Sequence, residues 1–107
     1  MLVTMRMLRV MLIDRPGFSL DVLADLVSTL PDTCLVTERP DVVIVDDRRF
    51  ADALPLMRGG VPTIVLGADD DPGYALRARQ HGASRWVPKE SVSSELPALL
   101  RRVTAAG

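Results

Sequence analysis

The chain has 107 residues, of which 48% are apolar, and a chain of this size folds as one globular domain with a single core. A formal net charge of −1 excludes a global basic field that would attract nucleic acid or a membrane surface. The single cysteine, Cys34, excludes an internal disulfide framework and a multi-cysteine metal site. No apolar run reaches about 18 residues, and the first residues do not resemble a signal peptide. We therefore expect one cytoplasmic domain over residues 1–107.

Four apolar runs predict the strands of a sheet, and the segments between them predict helices. The first three runs are continuous rather than alternating, which is typical of parallel strands that are buried on both faces. The predicted strands are Val10–Ile13, Val42–Val45, Thr63–Leu66 and Ser84–Val87. The predicted helices are Ser19–Leu30, Phe50–Arg58, Asp71–His81 and a last helix that starts at Ser91 or Ser93. Within the second helix, we expect Pro55 in the first turn or at a break. This alternation predicts a doubly wound α/β sheet.

Charged residues follow the predicted strands at the edge where such sheets bind ligands. Asp14 and Asp46 end the first two runs, and Gly67 and Lys89 follow the last two. Carboxylates at this edge can hold Mg2+ or form an acyl phosphate, and an ammonium group neutralises phosphoryl oxygens. Lys89 is the only lysine among 13 basic residues, which favours a required role over chance. The alternative is that each aspartate merely begins a turn or a helix.

Three segments resemble the receiver domain of bacterial two-component response regulators, in particular the group that precedes a LuxR-type helix-turn-helix. They are Arg39–Asp46, Ile64–Leu66 and Gly82–Lys89. The resemblance implies a flavodoxin-like fold, with Asp46 as the phosphoacceptor and Lys89 as the phosphate contact. It also implies switch positions at Gly67 and Trp86, and a Mg2+ site formed by Asp14, Asp46 and the backbone carbonyl of Arg48.

Several positions depart from the family pattern. Asp14 is alone where the family has two adjacent acids, so Mg2+ binding is expected to be weak or absent, and no other cofactor is implied. Arg15 could partly take the place of the cation. Gly67 lacks the switch hydroxyl, and Trp86 is too large to pivot freely.

The family's second helix is missing from the sequence. The second strand is expected at Cys34–Thr37, and only Glu38–Pro40 separates it from the segment of the third strand, which begins at Asp41. A parallel crossover usually takes a dozen or more residues, and this linker has three. Its reach of at most about 14 Å is little more than the length of one four-residue strand, about 13 Å. We therefore expect an irregular or displaced second strand and not an ordinary parallel one. It would be an extended connector, an antiparallel or irregular edge, or a strand given to another molecule, and an irregular extended segment is favoured. The loss of the helix would leave sheet surface uncovered near the first and third strands.

These features favour a regulatory receiver-like module over an enzyme. We expect it to act by dimerisation and largely without phosphorylation, as the N-terminal domain of a transcription regulator. The dimer would form through the face of the family's fourth helix, fifth strand and fifth helix, or through the uncovered sheet surface. A histidine kinase is the implied partner, DNA would be contacted only by a domain outside this chain, and no membrane partner is expected.

The alternative is a working receiver that is phosphorylated on Asp46 with Mg2+. An unrelated nucleotide-binding enzyme is disfavoured, because no glycine-rich phosphate loop follows the first strand.

Overall fold

The computed structural model describes residues 7–14, 17–67, 76, 79–80, 82–83, 85–88 and 91–106, with the backbone alone at 18, 19 and 103–106. The strands are β1 (Leu8–Ile13), β2 (Thr33–Leu35), β3 (Val42–Asp46), β4 (Thr63–Gly67) and β5 (Arg85–Pro88). The helices with defined bounds are α1 (Phe18–Ser28), α2 (Phe50–Arg58) and α3 (Val92–Ala106), and a 3-10 turn (Asp47–Arg49) precedes α2. Most of the predicted helix at 71–81 lies outside the described residues, but the three described positions within it are helical.

All five strands form one parallel sheet in the order β2-β1-β3-β4-β5. This confirms the predicted doubly wound, flavodoxin-like α/β fold. Every residue of β3 and β4 is buried, as the continuous apolar runs require. Within the part of the chain described, no helix is both long enough and apolar enough to cross a membrane.

Two apolar clusters cover the two faces of the sheet. On one face, α1 and α3 pack on alternate strand residues, with Val10, Ile44, Ile64 and Leu96 fully buried. The other cluster includes Val43, Val45, Ala53, Val65 and Ala83, and α2 supplies its helical part. The sheet is therefore the middle layer between two apolar clusters, and the carboxyl ends of its parallel strands meet at one edge.

The path of the second strand differs from the expectation of an irregular segment, which is wrong. β2 is a short parallel strand, in which Leu35 pairs with Val10 of β1. On the other side of β1, Val10 also pairs with Val42, where β3 begins. β2 thus ends level with the start of β3, so the connecting residues 36–41 cross β1 without travelling back along it. Two strand spacings are about 10 Å, well within the reach of six residues.

Arg9 of β1 anchors this helix-free crossover. Its Nε donates to the carbonyl oxygen of Arg39 at 2.8 Å, and its Nη2 donates to that of Glu38 at 2.9 Å. The backbone N–H of Arg9 donates to Asp41 Oδ2 at 2.9 Å, and the backbone N–H of Asp41 donates to the carbonyl of Arg9 at 2.8 Å. These bonds satisfy backbone groups that a helix would otherwise have paired internally.

The sheet surface expected to be uncovered is smaller than the missing helix suggests. Val43 and Val45 of β3 lie on that face and are fully buried. Met11 and Ile13 of β1 are half-buried on the same face. Near the first three strands, the open part of this face therefore includes β1 and its neighbour Cys34, which is half-buried.

Helix α2 has the predicted bounds but runs through Pro55. The expectation that Pro55 lies in the first turn or breaks the helix is wrong. Proline removes the bond to the carbonyl four residues earlier, and its ring crowds that carbonyl, which is that of Ala51. Because Ala51 is exposed, water can satisfy that carbonyl.

Candidate functional site

Asp46 lies at the carboxyl end of the central strand β3 and begins the 3-10 turn. Only 2% of the residue is exposed. Its Oδ1 accepts a hydrogen bond of 2.9 Å from the backbone N–H of Arg48, which is the usual role of an aspartate at a helical N-cap. The turn therefore brings the residue two positions along the chain back onto the carboxylate.

The guanidinium of Arg48 also binds both oxygens of Asp46. Nε lies 3.2 Å from Oδ1, and Nη2 lies 3.4 Å from Oδ2. The Asp46 side chain is 1% exposed, whereas the Arg48 side chain is 56% exposed. A buried carboxylate is thus neutralised by an arginine that reaches it from the surface, in the two-pronged geometry that guanidinium groups favour.

The surrounding charges strengthen this pairing. The hydrogen bond to Asp46, followed by the charge of Asp46, raises the pKa of Arg48 above its ordinary value, and the charges of Asp14 and Asp47 raise that pKa further. Asp14 directly follows β1, in which Ile13 pairs with Val45, so Asp14 and Asp46 end neighbouring strands at the same level. The Arg48 guanidinium is therefore the positive centre of a group of three carboxylates.

Arg48 competes with a Mg2+ ion for the oxygens of Asp46. A divalent cation of this kind takes carboxylate oxygens and water, but both oxygens of Asp46 already accept hydrogen bonds from Arg48. Among the described residues, no group of three or more His, Cys, Asp or Glu side chains is arranged to hold a metal ion. Among the described residues, the cation in contact with Asp46 is the guanidinium of Arg48.

Gly67 and Trp86, the two predicted switch positions, lie in contact. Val65 pairs with Trp86 across β4 and β5, so Trp86 and Gly67 occupy the same face of the sheet, two residues apart along it. A Cβ built on Gly67 would overlap Cζ2, Nε1 and Cε2 of the Trp86 indole. Nε1 of Trp86 is buried and has no hydrogen-bond acceptor among the described residues.

No family model matches this chain, and no curated protein matches it. The chain is similar in structure to a LuxR-family two-component response regulator from Aurantimonas sp. SI85-9A1, at 20% identity and a TM-score of 0.79, covering 94% of this chain and 86% of that one. It is similar to a LuxR-family DNA-binding response regulator from Staphylococcus aureus, at 15% identity and a TM-score of 0.78, covering 92% and 99%. It is also similar to a response regulator receiver protein from Pseudoalteromonas atlantica, at 18% identity and a TM-score of 0.74, covering 92% and 98%.

The chain has the receiver-domain fold. Within this fold, the structure brings together Asp14, Asp46 and Arg48 at one end of the sheet, and Gly67 with Trp86 beside them on β4 and β5. Lys89, the predicted phosphate contact, lies outside the described residues, as does Arg15. The guanidinium that contacts Asp46 is that of Arg48.

The contact of the Arg48 side chain with Asp46 is the feature of the candidate site that the sequence reasoning missed. The resemblance assigned this position only a backbone carbonyl, as a metal ligand. One local signal could have found it: an aspartate at an N-cap binds the N–H of the second or third following residue. When that residue is an arginine, as at position 48, its side chain leaves the backbone close to the carboxylate. Receiver folds with Asp-x-Arg at the end of β3 can be searched for this pairing.

Proposed function

We propose that the chain is a signalling module of the response-regulator type that works through contacts with other proteins and not through phosphorylation of Asp46. In this proposal it is the N-terminal regulatory domain of a transcription regulator, and it reaches DNA only through a domain outside this chain. The structural neighbours support the receiver-like part, because response regulators and a receiver protein recur among them.

The pairing of Arg48 with Asp46 is the observation that carries the proposal. An acyl phosphate forms when a carboxylate oxygen attacks phosphorus, and the negative phosphoryl oxygens need a cation nearby. Here the attacking group is 1% exposed, and both of its oxygens accept hydrogen bonds from Arg48. Attack would require these bonds to break, and Asp14 and Asp47 would then repel the incoming phosphoryl group.

Dimerisation is the second part of the proposal, and two surfaces are candidates. One is the face that includes β5, where Arg85 is exposed. The other is the half-buried surface of β1 around Met11 and Ile13. Sedimentation velocity over a range of concentrations should show a dimer that one of two variants, Arg85→Glu or Met11→Asp, dissociates. A monomer at every concentration would contradict this part.

A working phospho-receiver is the competing function. It is favoured by the position of Asp46 at the end of the central strand, beside Asp14 on the neighbouring strand. In that case Arg48 would move away from Asp46, and Lys89 would contact the phosphoryl group. The exposure of the Arg48 side chain gives it room to leave.

Incubation with a small phosphodonor and Mg2+, followed by intact mass measurement, separates the two functions. We expect the wild-type chain to gain no mass. Arg48→Ala should gain about 80 Da, the mass of one phosphoryl group, and the added change Asp46→Asn should abolish this gain. Arg48→Lys is the matched control, because it keeps the charge but loses the two-pronged contact.

A stoichiometric adduct on the wild-type chain that disappears in Asp46→Asn would refute the proposal. Failure of Arg48→Ala to gain mass, in a protein that remains folded, would show that Arg48 is not what blocks the acceptor.

A further inference from the structure

The backbone conformation at Gly67 does not explain why this residue is a glycine. It ends the buried strand β4, and its φ lies outside the left-handed region that favours glycine. Glycine weakens a strand, because it loses the most conformational entropy on folding and packs no side chain. The reason for glycine at this position must therefore be steric.

The steric reason is the indole of Trp86. Any side chain at position 67 would overlap three atoms of that ring, which lie within the indole itself and not at the flexible end of a long chain. The ring packs against the cluster that includes Val65 and Ala83. Its Nε1 is buried as well, so the polar edge of the indole also lies against the protein.

We propose that Trp86 is a fixed latch: its indole fills the side-chain position of residue 67 and holds the ends of β4 and β5 in one arrangement. A side chain that alternates between two positions needs space in both. Here the inner space is filled by the half-buried indole, and withdrawal of the ring would forfeit its packing contacts with Gly67 and the cluster around Val65. The β4–β5 edge therefore presents the same surface to a partner whatever binds beside Asp46.

This latch does not depend on whether Asp46 accepts a phosphoryl group. A partner would recognise the presence of the domain, and so its concentration, and would not detect a change in its state. Regulation would then act on the amount of the protein or on its association with other chains.

A double-mutant cycle between positions 67 and 86 tests the latch. The variants are Gly67→Ala, Trp86→Leu and their combination, unfolded by denaturant and followed by circular dichroism. Gly67→Ala should lower the unfolding midpoint strongly when Trp86 is present. It should lower the midpoint much less, or raise it, when residue 86 is leucine. Unequal effects of this kind measure direct coupling between the two positions.

Gly59 provides the matched control glycine. Its φ is −79°, and a Cβ there would make ordinary contacts of 3.5 and 3.6 Å with backbone oxygens. Gly59→Ala should therefore show the same effect with either residue at position 86. If Gly67→Ala fails to fold, recovery of folding in the combination with Trp86→Leu supports the latch. Equal effects of Gly67→Ala in the two backgrounds, or failure of the combination to fold while Trp86→Leu folds, would overturn it.

Fluorescence supplies a second test, because Trp86 is the only tryptophan of the chain. Its emission maximum and its quenching by acrylamide should not change when phosphodonor and Mg2+ are added. In Gly67→Ala the emission should shift to the red and quenching should increase. A change in the wild-type emission on addition of phosphodonor would overturn the latch. A mass gain without a change in emission would refute only the proposed function.

Discussion

The crossover between β2 and β3 depends on Arg9, and Arg9→Ala is the substitution that tests this most clearly. Its side chain makes two hydrogen bonds, of 2.8 and 2.9 Å, to the carbonyls of Arg39 and Glu38. A hydrogen bond contributes about 0.5–1.5 kcal/mol net, and the exposure of this surface places both bonds in the lower half of that range. We expect a loss of about 1–2 kcal/mol in the free energy of unfolding, which corresponds to a fall of about 5–10 °C in Tm.

Urea unfolding and amide hydrogen exchange are suitable assays for this variant. Exchange should accelerate in residues 36–40 and remain unchanged in β3, because the backbone bonds between Arg9 and Asp41 remain in place. Arg102→Ala, at an exposed arginine of α3, is the matched control and should change stability by less than about 0.5 kcal/mol. If Arg9→Ala and Arg102→Ala behave alike in both assays, the anchoring role of Arg9 is refuted.

Three further substitutions test the packing and the backbone by urea unfolding. Asp41→Ala should lower the free energy of unfolding by about 1–2 kcal/mol, because it leaves the backbone N–H of Arg9 without its acceptor. Asp41→Asn should restore most of this free energy. Equal losses in the two variants would contradict the role of the hydrogen bond. Leu96→Ala should cost about 2–5 kcal/mol, since Leu96 is fully buried, whereas Val22→Ala on exposed α1 surface should cost less than about 0.5 kcal/mol. Arg39→Gly should stabilise the chain by about 0.5 kcal/mol, because Arg39 has a φ of 50° and contributes only its carbonyl to Arg9; a loss of stability would show that its side chain contributes more.

The strands could be predicted from the sequence because their signal is local. A continuous apolar run that ends at Asp46 is sufficient to predict a buried parallel strand. The course of the chain after β2 could not be predicted in this way. It depends on where Leu35 and Val42 stand against Val10, which is a matter of register between strands. The linker was expected to be the three residues Glu38–Pro40, whereas six residues, 36–41, join the two strands. The distance that the linker must cover was also overestimated.

The candidate site was likewise predicted from the sequence only in part. The meeting of Asp14 and Asp46 at one edge follows from the topology of a parallel sheet, and the sequence predicted it. The return of Arg48 onto Asp46 depends on a 3-10 turn whose type the sequence did not reveal. The contact between Gly67 and Trp86 joins two strands, so the sequence could mark both positions as unusual but could not show that one explains the other.

The most direct test of the account is the nuclear magnetic resonance signal of the Arg48 Nε–Hε group, assigned by its absence in Arg48→Lys. If the guanidinium is the resident cation of the site, this signal should exchange slowly with water, move in Asp46→Asn, and remain unchanged when Mg2+ is added. A signal that is the same in the wild-type chain and in Asp46→Asn, or one that Mg2+ shifts to the position of a free arginine, would contradict the account.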